Sequence, residues 1–202
     1  SVLGPILFNI FINDLTMFIR KANLHNFTDD NALSAYASDI PSLINILEEE
    51  SSNAVDWLNS NNMITNPEKF HALLLTKNMV NTAGNKLCVH NKVVYSENWL
   101  TLLGIKIDSR LTFDQHISEI CRKVSAQLNA LIRLKSNLTC QSRKVLVQSY
   151  IYANFNYCPL VWHCSSAKTL TKIEKIQERA LRFVYDNYTD SYGQLLVAYA
   201  KY

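Results

Sequence analysis

From Asp114 onward the apolar residues keep a helical period, and nothing else in the chain constrains its fold as tightly. Ile117, Ile120, Cys121, Val124, Leu128, Leu131 and Ile132 form one apolar stripe. Residues 141–155 predict a second helix. Residues 168–185 predict a third, with Ile173, Ile176, Ala180 and Val184 turned inward. The second half of the chain is therefore expected to be all-helical.

The first half is mixed. Pro5 suits a first helical turn, and Ile6, Leu7, Ile10, Phe11 and Leu15 extend that helix over 5–20. Residues 24–28 and 31–36 predict two short strands around the turn-prone Asp29-Asp30-Asn31. Ser38-Asp39-Ile40-Pro41 supplies a cap for a helix reaching about Leu58. Met63 to Lys69 is a turn-rich connector, followed by a strand from His71 to Thr76, a hairpin over 86–95 turning near Asn91, and a strand over 102–108 that contains Gly104. The one plausible domain boundary lies near 110–114. It gives an α+β chain with a mixed part at 1–113 and a helical part at 114–202.

Nearly half of the 202 residues are apolar (48%), which excludes a disordered chain. The net charge of +3 hides an asymmetry: residues 1–113 hold eight Lys/Arg against eleven Asp/Glu, and residues 114–185 hold eleven against four. An acidic-leaning half followed by a basic helical half suits a metal site beside a polyanion-binding element, though ordinary helix surfaces also carry such charge. The five cysteines are an odd number and no secretory signal is present, so buried free thiols and an intracellular, non-secreted protein are expected. Cys158, His163 and Cys164 lack the paired spacing of a zinc set. The apolar run from Val2 to Ile19 is interrupted by Asn9, Asn13 and Asp14, so a buried amphipathic helix is expected there and not a membrane span.

Asp29 and Asp30 carry the clearest chemistry. Adjacent carboxylates at the tip of a hairpin offer hard oxygen ligands of the kind Mg²⁺ takes alongside substrate phosphates. Their context is an ordered series: Ser1-Val2-Leu3-Gly4-Pro5-Ile6-Leu7-Phe8, then Phe27-Thr28-Asp29-Asp30, then Trp57-Leu58 with Asn66-Pro67-Glu68-Lys69, then Leu102-Leu103-Gly104-Ile105-Lys106-Ile107-Asp108. This series resembles the reverse transcriptases of non-LTR retrotransposons, and the resemblance covers most of the chain.

The resemblance implies part of a polymerase palm at 1–113 and a helical, thumb-like region with its continuation at 114–202. The implied activity is RNA-directed DNA synthesis on an RNA template from a DNA primer, with deoxynucleoside triphosphates as substrates, hybrid duplex as product, and two Mg²⁺ ions (or Mn²⁺) as cofactors. Asp29 and Asp30 become metal ligands, with Lys69 a candidate proton donor to the leaving pyrophosphate. Gly4, Pro5, Phe27 and Thr28 are placed near nucleotide and template, and Leu103 and Gly104 near the primer terminus. Two departures are visible. Thr28 stands where the family usually has Ala. The family's first metal-binding Asp lies in an earlier palm strand than any in this chain, so the chain alone is expected to be inactive.

Lys172, Lys175, Arg179 and Arg182 recur at spacings of three, four and three, on one helix face. They are candidates for contacts to a nucleic-acid backbone; a solvated face relieved by Glu174 and Glu178 is the alternative. A non-enzymatic nucleic-acid-binding remnant that uses this basic half is the rival reading of the whole chain.

Overall fold

Val2 caps the first helix, α1 (Leu3–Asn13), and Pro5 lies in its first turn, where its missing N–H costs nothing. The structure, a computed structural model, describes residues 2–76, 82–163 and 165–200, with only the backbone of His163. Ser1 of the opening motif and Cys164 of the Cys158, His163, Cys164 grouping lie outside the described residues. The helix expected over 5–20 is shorter: after Asn13 it tightens to a 3₁₀ turn, Asp14–Met17.

The chain divides into two compact units, Ser1–Leu100 and Thr101–Tyr202. In the first, a hairpin of β1 (Asn23–Phe27) and β2 (Asp30–Ser34) is followed by α2 (Ile40–Ser60). Asp39 caps α2 by accepting from the Ser42 N–H at 2.8 Å, and Pro41 sits in its first turn. A 3₁₀ turn (Pro67–Lys69) leads to β3 (Ala72–Leu73), a shorter strand than the expected 71–76. The hairpin of β4 (Lys86–Val89) and β5 (Lys92–Glu97) turns at His90-Asn91, and β3 joins β5 in parallel.

Two small cores hold this unit. Ile12, Leu15 and Trp57 form one, with Phe8 and Leu24 packed against it. Val55, Val89 and Val94 form the other, under Phe70 and Ala72. The expectation of a buried α1 fails. Among its described residues only Ile12 is buried, while Ile6, Leu7 and Ile10 are 51–66% exposed. Apart from Asn9 and Asn13 the helix is apolar, and only one edge of it meets the Trp57 core.

The expected single strand over 102–108 also needs correction. It is a hairpin, with β6 (Trp99–Leu102) paired to β7 (Ile105–Asp108). Leu103 and Gly104, with φ of 48° and 79°, are both left-handed, as a type I′ turn requires, and they reverse the chain.

The second unit is built by α3 (Asp114–Arg133), which spans the expected apolar stripe, and α7 (Ala167–Tyr185), within a residue of its expected bounds. Between them the expected helix 141–155 is a composite: α4 (Cys140–Leu146), a π turn (Val147–Tyr152) and α5 (Ala153–Asn156). Two helices not foreseen are α6 (Leu160–His163) and α8 (Tyr192–Ala200). One contiguous core runs through this unit and includes Ile105, Ile117, Val124, Leu128, Val147, Ile151, Ile176 and Val184. The strand β7, placed with the mixed half by the sequence, thus belongs to the helical unit through Ile105.

Of the cysteines, Cys121 is buried as expected, but Cys88, Cys140 and Cys158 are exposed. Cys88 falls on the outward phase of β4, Cys140 on the first turn of α4, and Cys158 in a turn. No helix among the described residues is long and apolar enough to cross a membrane.

Candidate functional site

The β1–β2 hairpin pairs Phe27 with Asp30 and leaves Thr28-Asp29 as a two-residue loop. Thr28 takes φ of 53° while Asp29 stays at negative φ, a combination that favours glycine at the first position. A β-branched residue there is under steric strain of order 1–3 kcal/mol. The Thr28 hydroxyl offsets part of it by donating to the Phe27 carbonyl at 2.7 Å and to Asp29 Oδ1 at 3.0 Å.

Both carboxylates are exposed at the hairpin tip. The Thr28 hydroxyl, then the backbone N–H of Asp29 itself, hold the Asp29 carboxyl below its ordinary range, and the Lys69 ammonium adds to this. The structure therefore brings two of the sequence-selected residues, Asp29 and Lys69, into electrostatic range of each other. Lys69 is placed by its 3₁₀ turn, which Asn66 caps by accepting from the Glu68 N–H at 3.1 Å. Phe27, on the same hairpin, is 60% exposed.

As donors the two aspartates fit a hard divalent cation: they are adjacent, exposed, ionisable oxygens, and Asp29 is biased toward its charged form. Among the described residues no group of three or more His, Cys, Asp or Glu forms a fuller ligand set. Gly4 and Pro5 lie in the first turn of α1, and a Cβ on Gly4 would meet nothing within 4 Å, so packing does not demand glycine there.

The hairpin is held at its base by groups that sequence inspection passed over. Glu50, 1% exposed on α2, accepts from the backbone N–H of Arg20 at 2.9 Å and of Lys21 at 3.0 Å. Glu49 pairs with the Lys21 ammonium at 2.6 Å, and Glu48 accepts from the Cys88 N–H at 2.6 Å. In the sequence these three appear only as an acidic run. Their signal is the coincidence of that run with the middle of an amphipathic helix.

In the second unit, Leu103 and Gly104 form the β6–β7 turn, and the Leu103 carbonyl accepts from the Tyr157 hydroxyl at 2.5 Å. The basic row lies along α7 but is not uniform. Lys172 and Lys175 are exposed and make no ion pair among the described residues. Arg179 is exposed and donates to Asn129 at 2.8 Å. Arg182 is half-buried and pairs with Glu178 at 2.5 Å.

No family model matches the chain, and no solved structure matches it. About nine-tenths of its length is distantly similar to RNA-directed DNA polymerases of mobile elements, which relates it to the reverse transcriptases of retrotransposons. The relatives in Drosophila melanogaster include the probable RNA-directed DNA polymerase from transposon BS, 24% identical over 196 residues, which covers 92% of this chain and 22% of the relative. The probable RNA-directed DNA polymerase from transposon X-element is 20% identical over 191 residues, covering 91% of this chain and 21% of the relative. The RNA-directed DNA polymerase from mobile element jockey is 23% identical over 192 residues, covering 90% and 21%. The chain spans about a fifth of the length of these curated relatives.

Proposed function

We propose that this chain is the part of an RNA-directed DNA polymerase that carries two metal-binding carboxylates and a nucleic-acid-gripping helical unit. The observation that carries the reading is the Asp29-Asp30 pair at the tip of a two-residue hairpin turn, in a chain related along nine-tenths of its length to reverse transcriptases. Asp29 and Asp30 would hold Mg²⁺, or Mn²⁺, which when bound stabilises charge on the attacking and leaving oxygens of phosphoryl transfer. The Thr28 hydroxyl lowers the pKa of Asp29, and the charge of Lys69 acts on the same carboxylate, which supports Lys69 as the candidate proton donor. Phe27 presents an apolar ring beside the pair, and the exposed Gly4 leaves room for close approach of nucleotide or template. Leu103 and Gly104 present a rigid turn toward a primer strand. Lys172, Lys175 and Arg179 follow a phosphate backbone of RNA template, DNA primer or their hybrid through charge alone; the pairing with Glu178 makes Arg182 the weakest of the four.

The test measures Mn²⁺ bound to the 202-residue chain by electron paramagnetic resonance, with a deoxynucleoside triphosphate present. Weak binding that disappears in Asp29→Asn and in Asp30→Asn is the expected result. Binding of equal strength in both variants would remove the pair from the reading. Primer extension by the chain alone is expected to be undetectable, because two carboxylates hold two divalent ions poorly. Extension that vanishes in Asp29→Ala would overturn that expectation while strengthening the assignment of the pair.

A further inference from the structure

The helical unit contains a cleft of about 430 Å³ in which Gly104 is the one lining residue already given a role. That volume lies within the usual range of small-molecule sites, roughly 300–1,000 Å³. One wall is a row on α3, His116, Lys123 and Gln127, which lies beside the apolar stripe. The facing wall comes from the π turn and α5 and presents Tyr150 and Asn154, with Tyr157 beyond them. Single π turns inside helices are frequently associated with functional sites. Gly104 of the β6–β7 turn lies at the rim. Leu103 at φ of 48° is strained, and the Tyr157 hydroxyl fixes it through the 2.5 Å hydrogen bond to its carbonyl.

The polar groups of the cleft divide into three kinds. The first is a set of donors for anionic oxygen. His116 is 6% exposed, and its Nδ1 accepts from the Lys106 N–H at 3.3 Å, so the ring proton sits on Nε2, which has no acceptor among the described residues. Burial holds this imidazole below its ordinary pKa, which makes it a neutral, fixed donor. Lys123 is exposed and has no ion-pair partner among the described residues, and the neighbouring acid, Glu119, is already committed to Lys106 at 2.6 Å. The second kind is an amide pair. Asn154 Nδ2 donates to the Tyr150 carbonyl at 2.6 Å and lies 3.4 Å from Gln127 Oε1. The Asn154 oxygen and the Gln127 amide hydrogens are left over, an acceptor and donors suited to the edge of a planar polar ring. The third is aromatic: the Tyr150 and Tyr157 side chains are 54% and 53% exposed.

We propose that this cleft binds a nucleoside monophosphate unit, with its phosphate at Lys123 and His116 Nε2–H and its base against Tyr150 or Tyr157. Aromatic stacking combined with a cationic wall is how single strands are held without sequence preference. The inference deepens the nucleic-acid reading and rests on it only for the expectation that the nucleotide belongs to a strand.

The experiment uses the 202-residue chain and a fluorescent uridine octamer, followed by anisotropy. Tyr150→Ala is expected to weaken binding about tenfold and Lys123→Ala several-fold, while Tyr150→Phe, which keeps the ring, stays within twofold. Tyr150 is largely exposed, so Tyr150→Ala is expected to keep the far-ultraviolet circular dichroism of the parent. An octamer carrying 5-iodouridine is expected to photocrosslink to Tyr150 or Tyr157. Uridine monophosphate that displaces the octamer at equal concentration assigns the cleft to free nucleotide; a need for a hundredfold excess assigns it to a strand. Crosslinks that map outside the cleft, together with unchanged affinity in Tyr150→Ala and Lys123→Ala, overturn the inference. If the affinity then falls only in Lys172→Ala and Lys175→Ala, the nucleic-acid reading survives without the cleft. If no octamer binds at all, both fail.

Discussion

The two units bury their apolar residues in opposite ways. The second gathers them into one core, from Ile105 through Leu128 and Ile151 to Val184. The first splits them between a cluster around Trp57 and another around Val55, and leaves most of α1 uncovered. The candidate metal ligands sit on the unit with divided packing, at the tip of a two-stranded hairpin whose base alone meets a core. Sites that must admit a substrate are drawn from the less stable parts of a protein. The helical unit, by contrast, reads as the firm body that carries a binding surface.

The largest expected effect lies in the helical core. Leu128 is fully buried, and Leu128→Ala is expected to cost about 3 kcal/mol. Hydrogen exchange should accelerate across α3 and α7 while the protection of β1 and β2 is unchanged. Acceleration in both units would show a single cooperative body. A smaller effect is expected at Glu50. Glu50→Ala removes two part-buried hydrogen bonds to a charged acceptor, at about 2 kcal/mol, and should loosen the β1–β2 hairpin while α3 and α7 keep their protection. An unchanged exchange rate in the hairpin would show that its position does not depend on that carboxylate.

The smallest expected effect is a pH dependence confined to the helical unit. Burial keeps His116 neutral in the folded chain, below its ordinary 6.5, so the unfolded chain takes up a proton first as pH falls. The stability this group contributes is complete above 6.5 and declines below it. Burial of Asp108 acts in the opposite direction, but hydrogen bonds from Thr112, Phe113 and Arg110 outweigh it and hold the carboxyl below 3.8. Its contribution is present above that value and is lost on further acidification. Thermal unfolding between pH 7.5 and 5 should show the first decline, and His116→Gln should flatten it; an identical slope in the variant removes His116 as the cause.

The sequence was most legible where one period governs a whole element. The α3 stripe and the bounds of α7 were legible because nearly all of their inward residues are ones the core uses, Ile132 being the exception. The β1–β2 hairpin was legible because a strand pattern breaks there and resumes, but its turn is Thr28-Asp29, one residue ahead of the expected Asp29-Asp30-Asn31, since Asp30 and Asn31 already pair with Phe27 and Asn26. Other features answer to tertiary geometry. Two consecutive left-handed residues split the 102–108 segment, which reads as one apolar run. The π turn at Val147–Tyr152 changes the helical phase without any residue that announces it. Residue pattern alone gave no warning that α1 would lie open, because a largely apolar helix looks the same whether or not a partner covers it. The closeness of Lys69 to Asp29 and the capture of two backbone donors by Glu50 depend on how distant segments fold back.

Glu48, Glu49 and Glu50 occupy consecutive positions on α2, so they point about 100° apart around its axis. Each holds a different part of the chain: the edge of β4, the Lys21 side chain, and the backbone that enters the hairpin. That single helical turn therefore works as a phase-locked junction. One residue inserted in α2 ahead of it would rotate all three holds at once, and the tip that carries Asp29 and Asp30 would turn with them. Substitutions around this turn are tolerable one at a time, whereas a change of length is not.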